Sequence, residues 1–142
     1  GIQALDLVGR KLTMDNGRLP WLLFEELTRD LAALEEAGFG DLAAELRPAL
    51  STLERATREM QARGPDERAA AATPYLQLFG QVLGGFLLAR GARVAAGDPA
   101  GAAWPGLARF YATQLMPPAL ALAGPAFADP AALDEGLLPP AG

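Results

Sequence analysis

The large apolar side chains between residues 23 and 60 recur at steps of three and four. Leu23, Leu27, Leu31 and Leu34 form one stripe, which Trp21, Phe24 and Thr28 widen toward a second face. Leu42, Leu46, Leu50, Leu53, Thr57 and Met60 form another, about five turns long. A strand would instead alternate with a period of two. Glu25, Glu26, Arg29, Asp30, Glu35 and Glu36 fill the intervening positions of the first stripe and read as its solvated side. Two successive helices with one apolar side each must bury those sides together, so the fold class is all-α.

Glycine and proline set the remaining boundaries. Ile2, Leu5, Val8 and Leu12 are spaced for an opening helix over 2–13, and Asp15-Asn16-Gly17 supplies a turn. Pro20 suits a first helical turn, and Gly38 and Gly40 end that helix. Asp41 is expected to cap the next one. Pro48 removes a hydrogen bond inside it, which predicts a kink or break over 45–48. Arg63-Gly64-Pro65 closes it. A helical turn or more fits 66–72, and Pro74 disfavours the α conformation at Thr73, predicting a boundary or bend there.

The most apolar helix follows, over 74–96, and carries Gly80, Gly84, Gly85 and Gly91. Glycine inside a helix costs up to about 1 kcal/mol relative to alanine. Four of them predict close approach of a neighbour on the Gly80, Gly84 and Gly91 side, and place this helix at the centre of the bundle. Residues 97–101 form a linker. The last long helix is expected from Trp104 or Pro105, with Leu107, Phe110, Tyr111 and Leu115 facing inward. Met116-Pro117-Pro118 should bend or break it before a continuation over 119–123. The expected organisation is a terminal helix over 1–17, a bundle over 18–128 and an irregular tail over 129–142. Short connections make the bundle mostly antiparallel, with about four helices.

The chain has no histidine and no cysteine. It therefore lacks the commonest general base, and offers no thiolate metal site or disulfide framework. The pairs Glu25-Glu26 and Glu35-Glu36 do not form sites by themselves, because adjacent helical residues point about 100° apart. No catalytic and no metal-binding residue is assigned. A net charge of -5 argues against a nucleic-acid surface. The longest apolar run, Leu76 to Ala89, is shorter than the ~20 residues of a membrane span. No basic region followed by an apolar one opens the sequence, so no signal peptide is read and a cytoplasmic location is expected. None of the glycines sits in a strand-to-helix phosphate loop.

The opening residues Gly1-Ile2-Gln3-Ala4-Leu5-Asp6-Leu7-Val8-Gly9-Arg10-Lys11 resemble one known segment. In the larger FAD-dependent acyl-CoA dehydrogenases it follows a Tyr-Glu-Gly-Thr motif whose Glu is the catalytic base. Thr73-Pro74-Tyr75-Leu76-Gln77-Leu78-Phe79-Gly80, then Gly84-Gly85 and Leu87-Leu88-Ala89-Arg90, resemble the extra C-terminal helical domain of those enzymes. Phe110-Tyr111-Ala112, with Leu115 and Pro117, is similar to a later helix of that domain. The resemblance runs from Gly1 to about Pro117 and is most specific over Gly1 to Lys11.

It implies α,β-dehydrogenation of an acyl-CoA thioester, in which a Glu removes the α proton and the β hydride passes to the flavin. That motif is absent from the 142 residues, so the chain is expected to be inactive alone. Gly1, Ile2 and Gln3 are the candidates for contact with FAD. Smaller members often have Gln where Gly1 stands, and Gly1 offers only its backbone, which leaves the Gln3 amide as a side-chain contributor or as a tie at a helix start. The implied partners are the remainder of the dehydrogenase, the acyl-CoA substrate, an electron-transfer partner and further copies in a homo-oligomer. Two other readings stand beside this one: a free-standing helical interaction module, and a small helical carrier or enzyme with an apolar pocket for acyl chains.

Overall fold

The computed structural model describes Leu12 and residues 14–127. Four helical rods account for nearly all of them, and no strand occurs among the described residues. After a 3₁₀ turn at Met14–Gly17 come α1 (Leu19–Glu36), α2 (Gly40–Ala62) and α3 (Pro65–Val94). The last rod comprises α4 (Trp104–Phe110), a π-helical turn (Tyr111–Leu115) and α5 (Met116–Ala123), and a 3₁₀ turn (Gly124–Phe127) follows it. No described helix is long and apolar enough to cross a membrane. The opening helix apart from Leu12, and the tail beyond residue 127, lie outside the described residues.

The rods run up, down, up and down. Trp21, early in α1, bonds Gln61, late in α2, while Glu35 meets Arg47 at the opposite end. Thr57 of α2 reaches Tyr75 of α3. Asp30 of α1 takes Arg90 of α3, and Tyr111 of the last rod reaches Gln81. The seam from Leu42 to Met60 is buried along its whole length, as its spacing predicts. With Leu27, Leu31 and Leu34 of α1 and Tyr75, Leu78, Val82 and Phe86 of α3 it forms a single core.

The expected ends of the first two helices are found. Gly38 sits at φ +86°, with Phe39 N–H donating to Leu34 O (2.8 Å) and Gly38 N–H to Glu35 O (3.3 Å). This paired arrangement satisfies the last carbonyls and brings Phe39 onto the core. Pro65 opens α3 at a position where no N–H is needed.

Two expected interruptions are absent, for one reason. Pro48 does not break α2, and Pro74 lies inside α3, whose first turns include the helical turn expected over 66–72. Each proline deprives the carbonyl four residues earlier, on Ala44 and Ala70, and both those residues are exposed. At exposed positions solvent is available to replace the lost donor. Asp41 does not cap α2 either; the cap position is Phe39, with no side-chain bond, and Asp41 sits in the first turn.

The N-terminal segment is tied to the bundle through Gln61. Its Nε2 donates to Leu12 O (3.1 Å) and Gly17 O (2.9 Å), and its Oε1 accepts from Trp21 Nε1 (3.1 Å). Both amide hydrogens and the amide oxygen are thus used, which fixes the side chain's orientation. Leu12 beside it is buried, so this member of the opening stripe docks on the bundle.

Candidate functional site

The feature with chemistry and shape to spare is the seam between α3 and the last rod. Side chains of that rod press on three of the four α3 glycines, joined at Gly85 by Leu46 of α2. A Cβ on Gly84 would stand 2.9 Å from the Tyr111 hydroxyl oxygen, and one on Gly91 2.8 Å from the Trp104 ring. One on Gly85 would meet Leu46 Cδ2 at 2.9 Å and Met116 Sδ at 3.1 Å. Gly80 has nothing within 4 Å. The expected close approach is therefore real at Gly84, Gly85 and Gly91 and does not extend to Gly80. The Tyr111 hydroxyl donates to Gln81 O (2.6 Å), with Gln81 Oε1 at 2.8 Å, and burial raises its pKa.

The inward face of the last rod differs from the expected one. Ala108, Ala112 and Met116 are buried, whereas Leu107, Phe110 and Leu115 are 53%, 55% and 50% exposed. Tyr111 alone of the four predicted inward residues is half-buried. Small residues face in because the rod lies close to α2 and α3. The helical course runs on through the prolines to Ala123, so they do not break it. Pro117 and Pro118 have no N–H to donate to Thr113 and Gln114, and the chain accommodates them with one turn of wider register. In that turn Met116 N–H donates to Tyr111 O, five residues back. The extra residue also leaves Leu107 and Leu115, eight apart, on one side of the rod, with Leu122 seven further on.

Below Tyr111 the seam opens into a groove of about 270 Å³, lined by Pro74, Gln77, Gln81, Ala119, Leu122 and Ala123. Leu122 at its lip is 85% exposed. Elsewhere the polar groups are spent on holding helices together. Arg109 Nε donates to Asp41 (2.6 Å), and this bond holds the Asp41 carboxyl below its usual range. Arg90 bridges Asp30 and Glu26, and the Asp30 bond raises its pKa. Burial pushes the Tyr75 phenol up to about 12, against the Thr57 hydrogen bond (2.7 Å) that acts the other way. Among the described residues no three acids, histidines or cysteines are grouped to hold a metal.

A family model described as acetyl-CoA dehydrogenase C-terminal like matches residues 23–131. The chain belongs to this family. The match starts within α1 and takes in every later rod. No match was found among curated proteins or among solved structures.

As an acyl-CoA dehydrogenase C-terminal-like domain, the bundle places its core seam and its glycine-bearing helix where the sequence puts them. The candidates for flavin contact, Gly1, Ile2 and Gln3, lie outside the described residues. The outward row on the last rod was missed by hydropathy, which turned its largest residues inward. A signal for it does exist in the sequence: 73–89 and 110–127 contain no charged residue, too few polar groups to give either helix a fully solvated side.

Proposed function

We propose that this chain is the C-terminal helical domain of a large, cytoplasmic, FAD-dependent acyl-CoA dehydrogenase, and that its part in the enzyme is architectural. The observation that carries the reading is the family match over residues 23–131. The α,β-dehydrogenation of the acyl-CoA thioester, the catalytic Glu, the flavin pocket and the electron-transfer contact belong to the remainder of the dehydrogenase. Gly1, Ile2 and Gln3 border the flavin from this side, by backbone and by the Gln3 amide. The domain covers or spaces the catalytic part and helps subunits associate in a homo-oligomer.

The chemistry of the described residues supports assigning catalysis elsewhere. A base for the α proton needs a carboxylate poised near the working pH and within reach of that carbon. Asp41 is moved the opposite way, by a guanidinium that occupies its oxygens. FAD does not fit the groove between α3 and α5. Its 270 Å³ falls below the range of about 300–1,000 Å³ for sites enclosing drug-sized ligands, and no cationic side chain lines it to meet a pyrophosphate.

Titrating FAD and a saturated acyl-CoA into the purified chain, with an electron acceptor present, tests the reading. Neither saturable flavin uptake nor turnover is expected, and micromolar flavin binding or measurable turnover would overturn it. The coding sequence upstream of Gly1 is expected to read through Tyr-Glu-Gly-Thr.

A further inference from the structure

The last rod turns its bulky residues away from the core, and the side it turns them to is shared with α3. Leu107, Leu115 and Leu122 lie along one side of the rod, and Leu122 lines the groove together with Gln77 and Gln81 of α3. On α3, Gly84, Leu87, Gly91 and Val94 follow one another at steps of three, four and three, so they share one stripe. Its glycines are covered by Tyr111 and Trp104, while Leu87 and Val94 beside them are 52% and 73% exposed. The two helices thus offer raised apolar side chains beside a groove that Gln77 and Gln81 line together with apolar residues.

Charge says what this face can meet. The chain carries -5, so two copies repel wherever their acidic surfaces approach. Along most of this face they do not: α3 is uncharged from Thr73 to Ala89 and the last rod from Phe110 to Phe127, and toward Val94 and Leu107 the charges on these two helices are the cations Arg90, Arg93 and Arg109. Shape agrees. A two-fold interface needs each copy to offer both a projection and a recess on one patch. The groove of about 270 Å³ exceeds the ~150 Å³ that encloses a benzene ring, so it admits a leucine or phenyl side chain, and Leu115 and Leu122 stand ready to enter a partner's.

The extent is also adequate. From Thr73 to Val94 a helix rises about 30 Å, and two packed helices span about 20 Å, giving roughly 600 Å² before relief is counted. That is the order of the about 800 Å² each partner contributes to a standard interface.

We infer that the face formed by α3 and the last rod is a homotypic docking surface, on which a second copy of this chain seats its leucine row against the groove. This deepens the architectural role proposed above and rests on it, by naming the surface through which subunits associate.

Sedimentation of the 142-residue chain, from roughly micromolar to roughly millimolar concentration, tests it. A monomer–dimer equilibrium is expected in the wild type. Leu115→Asp and Leu122→Asp should each raise the dimer dissociation constant about tenfold or more. Leu22→Asp, on the exposed side of α1, should leave it unchanged. The milder Leu115→Ser and Leu122→Ser give the same comparison should an aspartate disturb the fold, which circular dichroism reports. A chain that stays monomeric throughout, or a dimer that the α5 and π-turn substitutions leave intact, would overturn the inference. The outcome is separable from the flavin assay. A dimer that turns over acyl-CoA refutes only the architectural reading, and an inactive monomer refutes only the interface.

Discussion

Replacing the α3 glycines by alanine, one at a time, tests whether they are there for close contact. Two opposing effects set the sign. Alanine in a helix interior gains about 0.8–1 kcal/mol over glycine. Against this, a methyl forced into a filled core costs typically about 1–3 kcal/mol. At Gly80 the new Cβ meets nothing within 4 Å, so only the gain remains, and Gly80→Ala should stabilise by about 1 kcal/mol. At Gly85 the Cβ arrives 2.9 Å from Leu46 Cδ2 and 3.1 Å from Met116 Sδ. Both neighbours are buried almost completely and have nowhere to retreat. The net effect at Gly85→Ala is then a destabilisation of about 0–2 kcal/mol. Gly91→Ala falls between, because the Trp104 ring it meets is 40% exposed and can swing outward.

Thermal melts at one concentration, chosen low enough to keep the chain monomeric, read the order directly. For a domain of this size 1 kcal/mol corresponds to roughly 2–5 °C in Tm, so Gly80→Ala should melt roughly 2–5 °C above the wild type and Gly85→Ala at or below it. A Gly85→Ala variant that melts as high as Gly80→Ala would refute the argument, since the two sites share their helix propensity and differ only in what faces them.

Thr57→Val strips the buried Tyr75 hydroxyl of its partner and should cost about 1–3 kcal/mol in urea unfolding. Adding Tyr75→Phe to it should recover part of that loss, whereas simple additivity of the two would deny the coupling. The same phenol predicts a pH response. Its folded pKa of about 12 stands above the unfolded value near 10, so its contribution is full below pH ~10 and is lost as the pH rises through ~12. Tyr75→Phe should therefore lose less stability than the wild type over that window, and parallel pH profiles would count against burial as the cause. Gln61→Ala removes three hydrogen bonds at once and should raise hydrogen exchange over residues 14–17. Unchanged protection there would show that Leu12 alone anchors the segment.

The sequence by itself determined what depends on near neighbours. Spacing of three and four picked out the seam from Leu42 to Met60, because a helix puts such residues on one side whatever lies opposite. Gly38 and Pro65 fixed helix ends through backbone conformations that other residues adopt poorly or that proline alone supplies. The residues resembling acyl-CoA dehydrogenases pointed to a family that the match over 23–131 shows. The tertiary structure decided whatever depends on what stands across a gap. Pro48 and Pro74 stay inside their helices because Ala44 and Ala70 face water, a fact of packing. Asp41 looks like a cap in sequence, yet Arg109, 68 residues later, takes its carboxylate. Hydropathy ranked Leu107, Phe110 and Leu115 as core, but the seating of the last rod on α3 turns Ala108, Ala112, Met116 and Ala123 inward and leaves those three exposed. A period shows which residues share a side of a helix; only the distance to the neighbouring helix decides how large the buried ones can be.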